Sequence, residues 1–116
     1  MAALSDEIAR LAALRLGAEF DPALPALVEA CLQPGEAPQQ FGDGLNAAIA
    51  LATLVVLATQ TGWTIYHDLT KDAAPVASVV ERRLRIELPH DVRLSAAQRD
   101  RVITVVVDEI VKTSNR

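Results

Sequence analysis

Apolar side chains recur at helical spacing from the start of the chain. Leu4, Ile8, Leu11 and Leu14 fall on one stripe until Gly17 closes the run. Ser5 stands where an N-cap belongs, and Asp6 and Glu7 place negative charge in the first turn. Asp21 followed by Pro22 repeats the start signal. Leu24, Leu27, Val28, Cys31 and Leu32 then keep the i, i+3, i+4, i+7, i+8 pattern until Pro34 and Gly35. Pro25 lies within that helix's first turn, where its missing donor costs little. Residues 1–33 therefore read as a helical hairpin, neither arm of which can bury its apolar side alone. Residues 34–43, rich in Pro, Gly, Gln and Glu with Phe41 the only large apolar side chain, read as a loop. It is the expected hinge and proteolysis site.

The most apolar stretch runs from Asp43 to Gly62, and between Leu45 and Ala58 only Asn46 and Thr53 are polar. With Asp43 as cap and Gly62 in the left-handed position past the end, the pattern predicts a helix over 44–61. Leu45, Ile49, Ala52, Val56 and Thr59 share one stripe, while Leu51, Leu54, Val55 and Leu57 load the other faces. A helix apolar all round belongs in a core, an oligomer interface or a bilayer. Spanning a bilayer takes about 20 apolar residues. This stretch reaches that length only by recruiting Thr59 to Tyr66, with Trp63 and Tyr66 as interfacial anchors. Burial in protein is the first expectation, and insertion of residues 45–66 in a membrane is the alternative.

After Gly62 the texture changes. Trp63, Thr64, Ile65 and Tyr66 are β-branched or aromatic, and Val80, Arg82, Leu84, Ile86 and Leu88 alternate with Glu81, Arg83, Arg85 and Glu87. This predicts two short antiparallel strands over 63–68 and 80–88. A competing reading makes Pro75 to Leu84 a helix with Pro75 at its first position. Pro89 stops either one. Ser95 and Gln98 form an S-x-x-Q capping box ahead of Ile103, Val106, Val107 and Ile110 on one face, widened by Val102 and Val111. The β-branched run Val102 to Val107 favours a strand taken alone, but cap and spacing outweigh it, and Val105 points to cover on a second side. The expected fold is one domain over 1–116, α+β and predominantly helical, in the order α-α-loop-α-β-β-α; the alternative is all-α. In it the central helix packs against the final helix and the small sheet, and the N-terminal hairpin closes the other side.

Composition narrows the function. A chain of 116 residues that is 51% hydrophobic can fill one modest core and is not disordered throughout. The formal charge of −4 divides into −5 over residues 1–61 (2 basic, 7 acidic) and +1 over residues 62–116 (9 basic, 8 acidic). That asymmetry favours contact between the halves, within a chain or head to tail between chains, and argues against nucleic acid as partner. One cysteine, Cys31, makes no internal disulfide, which suits a reducing compartment. Met1 is followed by an acidic amphipathic segment in place of a secretory leader's basic and then apolar one. The cytoplasm is the expected location, with an inner or plasma membrane as the alternative.

Chemistry is sparse. His67 and His90 each precede an aspartate, Asp68 and Asp91, but neighbours on a strand point to opposite faces, so neither dipeptide makes a dyad. A metal site would need His67, His90 and a carboxylate such as Glu87 or Asp91 to converge, which the spacing does not require. Cys31 occupies a core-facing position with no adjacent cation to activate it. No nucleophile elbow, phosphate loop, dinucleotide fingerprint or zinc spacing occurs, and Gly42-Asp43-Gly44 lacks the further glycine and lysine of a phosphate site. Arg82, Arg83 and Arg85, with Arg93, Arg99 and Arg101 nearby, form the densest basic cluster, interleaved with Glu81, Glu87, Asp91 and Asp100 as in a self-neutralising surface. Trp63 and Tyr66 offer stacking surface or core anchors. The expected interaction residues are Trp63, Tyr66, Arg82, Arg83 and Arg85, with no catalytic residue, metal or cofactor.

Arg85-Ile86-Glu87-Leu88-Pro89 followed by Leu94 to Ile103 resembles the last segment of pyridoxal-phosphate-dependent sugar aminotransferases, where a short strand ending in Leu-Pro leads into the final helix. The resemblance spans about 20 of 116 residues, and the chain lacks the lysine-bearing domain of that chemistry, so it implies no activity and no site. The functional expectation is a small non-enzymatic interaction or assembly module, self-associating or serving as an accessory subunit, through apolar surface this short chain cannot fully cover. The alternatives are a membrane-associated component and a small ligand-binding or enzymatic domain using Trp63, Tyr66, His67 and the arginines.

Overall fold

The described residues form five helices: α1 (Leu4–Glu19), α2 (Leu24–Leu32), α3 (Asp43–Leu69), α4 (Ala77–Glu87) and α5 (Ala96–Ser114). The structure, a computed structural model, describes residues 4–32, 43–69, 77–88 and 94–114, and among them there is no strand. The α+β expectation is therefore corrected to the all-α alternative. Residues 63–68 are the last turns of α3, and residues 80–87 belong to α4. The expected hinge over 34–43 lies outside the described residues except for Asp43, which opens α3.

Two glycines explain much of the difference. Gly62 is not a stop but a crossing point: a Cβ there would meet Ile110 Cδ1 of α5 at 2.9 Å and Leu84 Cδ1 of α4 at 3.3 Å. Gly17 likewise lies inside α1, where a Cβ would meet Pro25 Cδ of α2 at 3.0 Å. Both are small because a neighbouring helix comes close, and both helices continue past them. Two of the expected end signals hold as hydrogen bonds, while Ser5, expected as the cap of the first helix, lies inside α1, which already includes Leu4. Asp21 Oδ1 accepts from Ala23 N at 2.9 Å at the start of α2. At α5, Ser95 Oγ accepts from Gln98 N at 3.1 Å while Gln98 Oε1 accepts from Ser95 N at 3.0 Å, which satisfies two donors that the helix start would otherwise leave unpaired.

α3, about 40 Å long at 1.5 Å per residue, is the axis of the bundle and packs against all four other helices. Its apolar residues on every face have this cause: Leu51, Ala52, Leu54, Val55, Ala58 and Ile65 are buried under different neighbours. Thr59, buried among them, donates its hydroxyl to the Val55 carbonyl at 2.7 Å, so no polar atom is stranded. α5 is covered on two sides, by α1 and α4 as well as α3, and Val105 is fully buried with Val102, Ile103, Val106 and Ile110. α1 turns inward a face of small residues, Ala9, Ala12 and Ala13 between Ile8 and Leu16, and Leu14, expected on the buried stripe, faces outward.

Arginine clamps tie α1 to its neighbours. Arg10 grips both carboxylate oxygens of Glu29 on α2 at 2.8 and 2.9 Å. Arg15 Nη1 bridges Asp108 and Glu109 on α5 at 2.7 and 2.9 Å. Arg101 of α5 reaches back to Glu19 at 2.8 Å.

Candidate interaction surface

α4 settles where the arginine cluster goes. Successive residues on a helix are turned by 100°, so Val80, Leu84 and Leu88 at fourfold spacing share one side, while Ile86, two residues from Leu84, points almost the opposite way. Val80, Leu84 and Leu88 are buried accordingly, and Ile86 is left 77% exposed, more than any other large apolar residue described. Val79, Arg82 and Arg83 lie exposed on the same outward face. The strand alternation would have put Ile86 and Leu84 on one side, and this hid it from the sequence reading.

The three arginines do not act alike. Arg85 is committed to α5: its Nε lies 3.2 Å from Asp100 Oδ1, and its Nη2 is 4.0 Å from Glu81. Glu81 in turn accepts from Thr104 at 3.1 Å. Arg99 lies buried beneath this seam and donates Nη2 to the carbonyls of Arg85 and Leu88, both at 2.9 Å, placing a cation on the negative end of α4. Arg83 sits 3.9 Å from Glu87, a loose surface pair. Arg82 has no carboxylate within 4 Å among the described residues. Arg82 and Arg83, not Arg85, give the outward face of α4 its charge.

Trp63 and Tyr66 do not join them. Both are half-buried against the core, with ring centroids 6.5 Å apart and planes 11° from parallel, and exposed His67 sets its ring edge-on to Trp63 at 4.4 Å. They lie on the side of α3 away from a shallow groove of about 320 Å³ lined by Gln60, Thr61, Thr64, Ile65 and Asp68 with Arg83 and Glu87 of α4. Of the five expected interaction residues only Arg83 borders that groove. Its lining mixes one cation with two carboxylates, and the Thr64 hydroxyl there donates to the Gln60 carbonyl at 3.1 Å.

Of Cys31, His90, Asp91 and Arg93, only Cys31 is among the described residues. Cys31 is half-buried; burial pushes its thiol up, opposed by a hydrogen bond from Thr53. Among the described residues no three His, Cys, Asp or Glu side chains gather as metal ligands. A second outward patch went unseen in the sequence: Leu14, 61% exposed, between exposed Glu7 and Ala18 on α1. The alanine spacing that turns α1 inward was the signal that could have found it. No family model, curated protein or solved structure matches this chain.

Proposed function

We propose that the protein is a small non-enzymatic module that works by contact, and that the outward face of α4 is its contact surface. One observation carries this: Ile86, open to solvent on a helix whose other side is fully anchored, is ringed by Val79, Arg82 and Arg83. An aliphatic centre inside a basic rim suits an acidic partner surface with an apolar middle, the rim steering the encounter and the centre supplying hold. Cytoplasmic location is part of this reading and rests on the single, half-buried cysteine.

Purification of the tagged full chain from the cells that make it tests the surface. Ile86→Gln and Arg82→Gln should each release proteins that the native chain retains, and added salt should do the same. An identical set of retained proteins for native chain and variants would refute the α4 face.

Membrane association is the second reading, favoured by one feature: Ala48–Asp68 is 21 residues long and contains an 18-residue window of mean hydropathy 1.6, enough for a span by length and composition, although 67% of that window is buried in the bundle. Extraction in high salt without detergent separates the two. A contact module stays in the supernatant, and an inserted α3 stays in the pellet.

A further inference from the structure

Resting on the α4 face as the contact surface, we infer that its occupant is a second copy of this chain, docked head to tail through the outward face of α1. The two faces complement each other. α1 presents Leu14 with Glu7 two turns before it, and α4 presents Ile86 with Arg82 and Arg83 one turn before it. Asp6 and Glu7 have no cation within 4 Å among the described residues; Arg10, one turn on, attracts both but is already gripped by Glu29, so three carboxylates against one arginine leave this end of α1 net acidic. Arg82 on α4 has no carboxylate within 4 Å among the described residues. The same polarity holds at large, −5 in residues 1–61 against +1 in residues 62–116.

A molecule cannot close this contact on itself. α4 touches α3 and α5 but not α1, and both faces point away from the bundle. The match is therefore available only between molecules, and because the two surfaces differ, the contact is heterologous: each copy offers a free α1 face at one end and a free α4 face at the other, giving open chains or closed rings, not a twofold dimer.

Sedimentation velocity on the full chain over a concentration series tests this. The native protein should gain mass beyond the dimer as concentration rises, and salt should reverse it. Leu14→Arg, which sets a cation against Arg82 and Arg83, and Ile86→Gln, which removes the apolar centre, should each weaken association by roughly tenfold or more, with helical circular dichroism and melting unchanged. An equimolar mixture of the two variants retains one intact pair of faces, the α1 face of Ile86→Gln and the α4 face of Leu14→Arg, and should form a 1:1 dimer that neither forms alone. A native monomer at every concentration, a plateau at dimer mass untouched by Leu14→Arg, or a mixture that stays monomeric overturns the second copy as occupant. The α4 face fails separately, by Ile86→Gln retaining the same cellular proteins as the native chain.

Discussion

Gly62→Ala weighs two opposed effects whose sizes the structure sets. Alanine in a helix interior is favoured over glycine by about 1 kcal/mol, so in open space the change would stabilise the protein. Here the new methyl would stand 2.9 Å from Ile110 Cδ1 and 3.3 Å from Leu84 Cδ1, inside the 3.5–4.0 Å optimum for carbon pairs. Both side chains end in movable methyl groups, but both are fully buried and have little room to turn. Overpacking of this kind costs about 1–3 kcal/mol, so the net expectation is a loss of about 1 kcal/mol. Ile110→Val removes the nearest atom and alone costs about 1 kcal/mol. In that background Gly62→Ala should be neutral or stabilising, which gives a favourable coupling of about 1 kcal/mol in the double-mutant cycle. Urea unfolding followed by circular dichroism measures all four proteins, with unchanged m-values as the check on two-state behaviour. A full stabilisation by Gly62→Ala that adds independently to Ile110→Val would refute the close crossing of α3 and α5, and with it Gly62 as an interior residue.

Other changes separate the interactions that hold the helices together. Arg15→Met strands Glu109, whose side chain is only 9% exposed, and should cost about 1–2 kcal/mol, below the fully buried range because Arg15 keeps water. Glu19→Gln at the open bridge to Arg101 should cost under about 1 kcal/mol, so equal losses on denaturant unfolding would contradict the difference in burial. Asp108 is held below its ordinary 3.8 first by Arg15 and then by Lys112; the stability it contributes is whole above that value and lost as pH falls through the folded one, and Arg15→Met should shrink the acid loss. Ser95→Ala, which breaks the capping box, should lower stability by about 1 kcal/mol, and no change in the unfolding midpoint would count against the cap. Burial holds the Cys31 thiol above its ordinary 9.0, so the stability it contributes is full below that value and lost as pH rises through the folded one; Cys31→Ala should flatten the alkaline side of the stability profile.

Two caps that rest on local chemistry were legible in the sequence, whereas the one expected at Ser5 lies inside α1. The cap at Asp21 and the box at Ser95 and Gln98 bind backbone donors two or three residues away, and both are where their letters place them. The final helix was legible because four well-spaced aliphatics outvoted its β-branched run. Gly62 was misread because the same letter serves a helix end and a helix crossing, and only the positions of Ile110 and Leu84 tell them apart. Once α3 was stopped there, Trp63 to Tyr66 became a strand by propensity, although tertiary packing overrides propensity. The α4 segment alternated well enough to pass as a strand, yet Val80, Leu84 and Leu88 fit a helix equally, and Arg99 capping its last carbonyls is a contact made 11 and 14 residues away. The clamp between Arg15 and Glu109 spans 94 positions, beyond any local rule. On the proposed α4 face the sequence singled out Arg82 and Arg83 and passed over Ile86, because the strand alternation placed Ile86 on the same side as buried Leu84.

The sheathing of α3 also bears on where the chain can work. Ile8, Leu16, Leu24, Val28, Val80, Leu84, Ile103 and Ile110 are all fully buried in helices packed around α3. Each such side chain returned to water costs about 2 kcal/mol. If α3 left for a bilayer, these side chains would lose the helix they pack against, and a short chain is stable by only about 5–15 kcal/mol. Insertion would therefore require the other helices to find a new common core or to follow α3 into the lipid. Following is opposed by Arg10, Arg15 and Arg101, whose carboxylate partners remain partly in water. A bundle that keeps α3 at its centre needs neither change, and among the described residues the large apolar side chains it leaves most open to contact are Leu14 and Ile86.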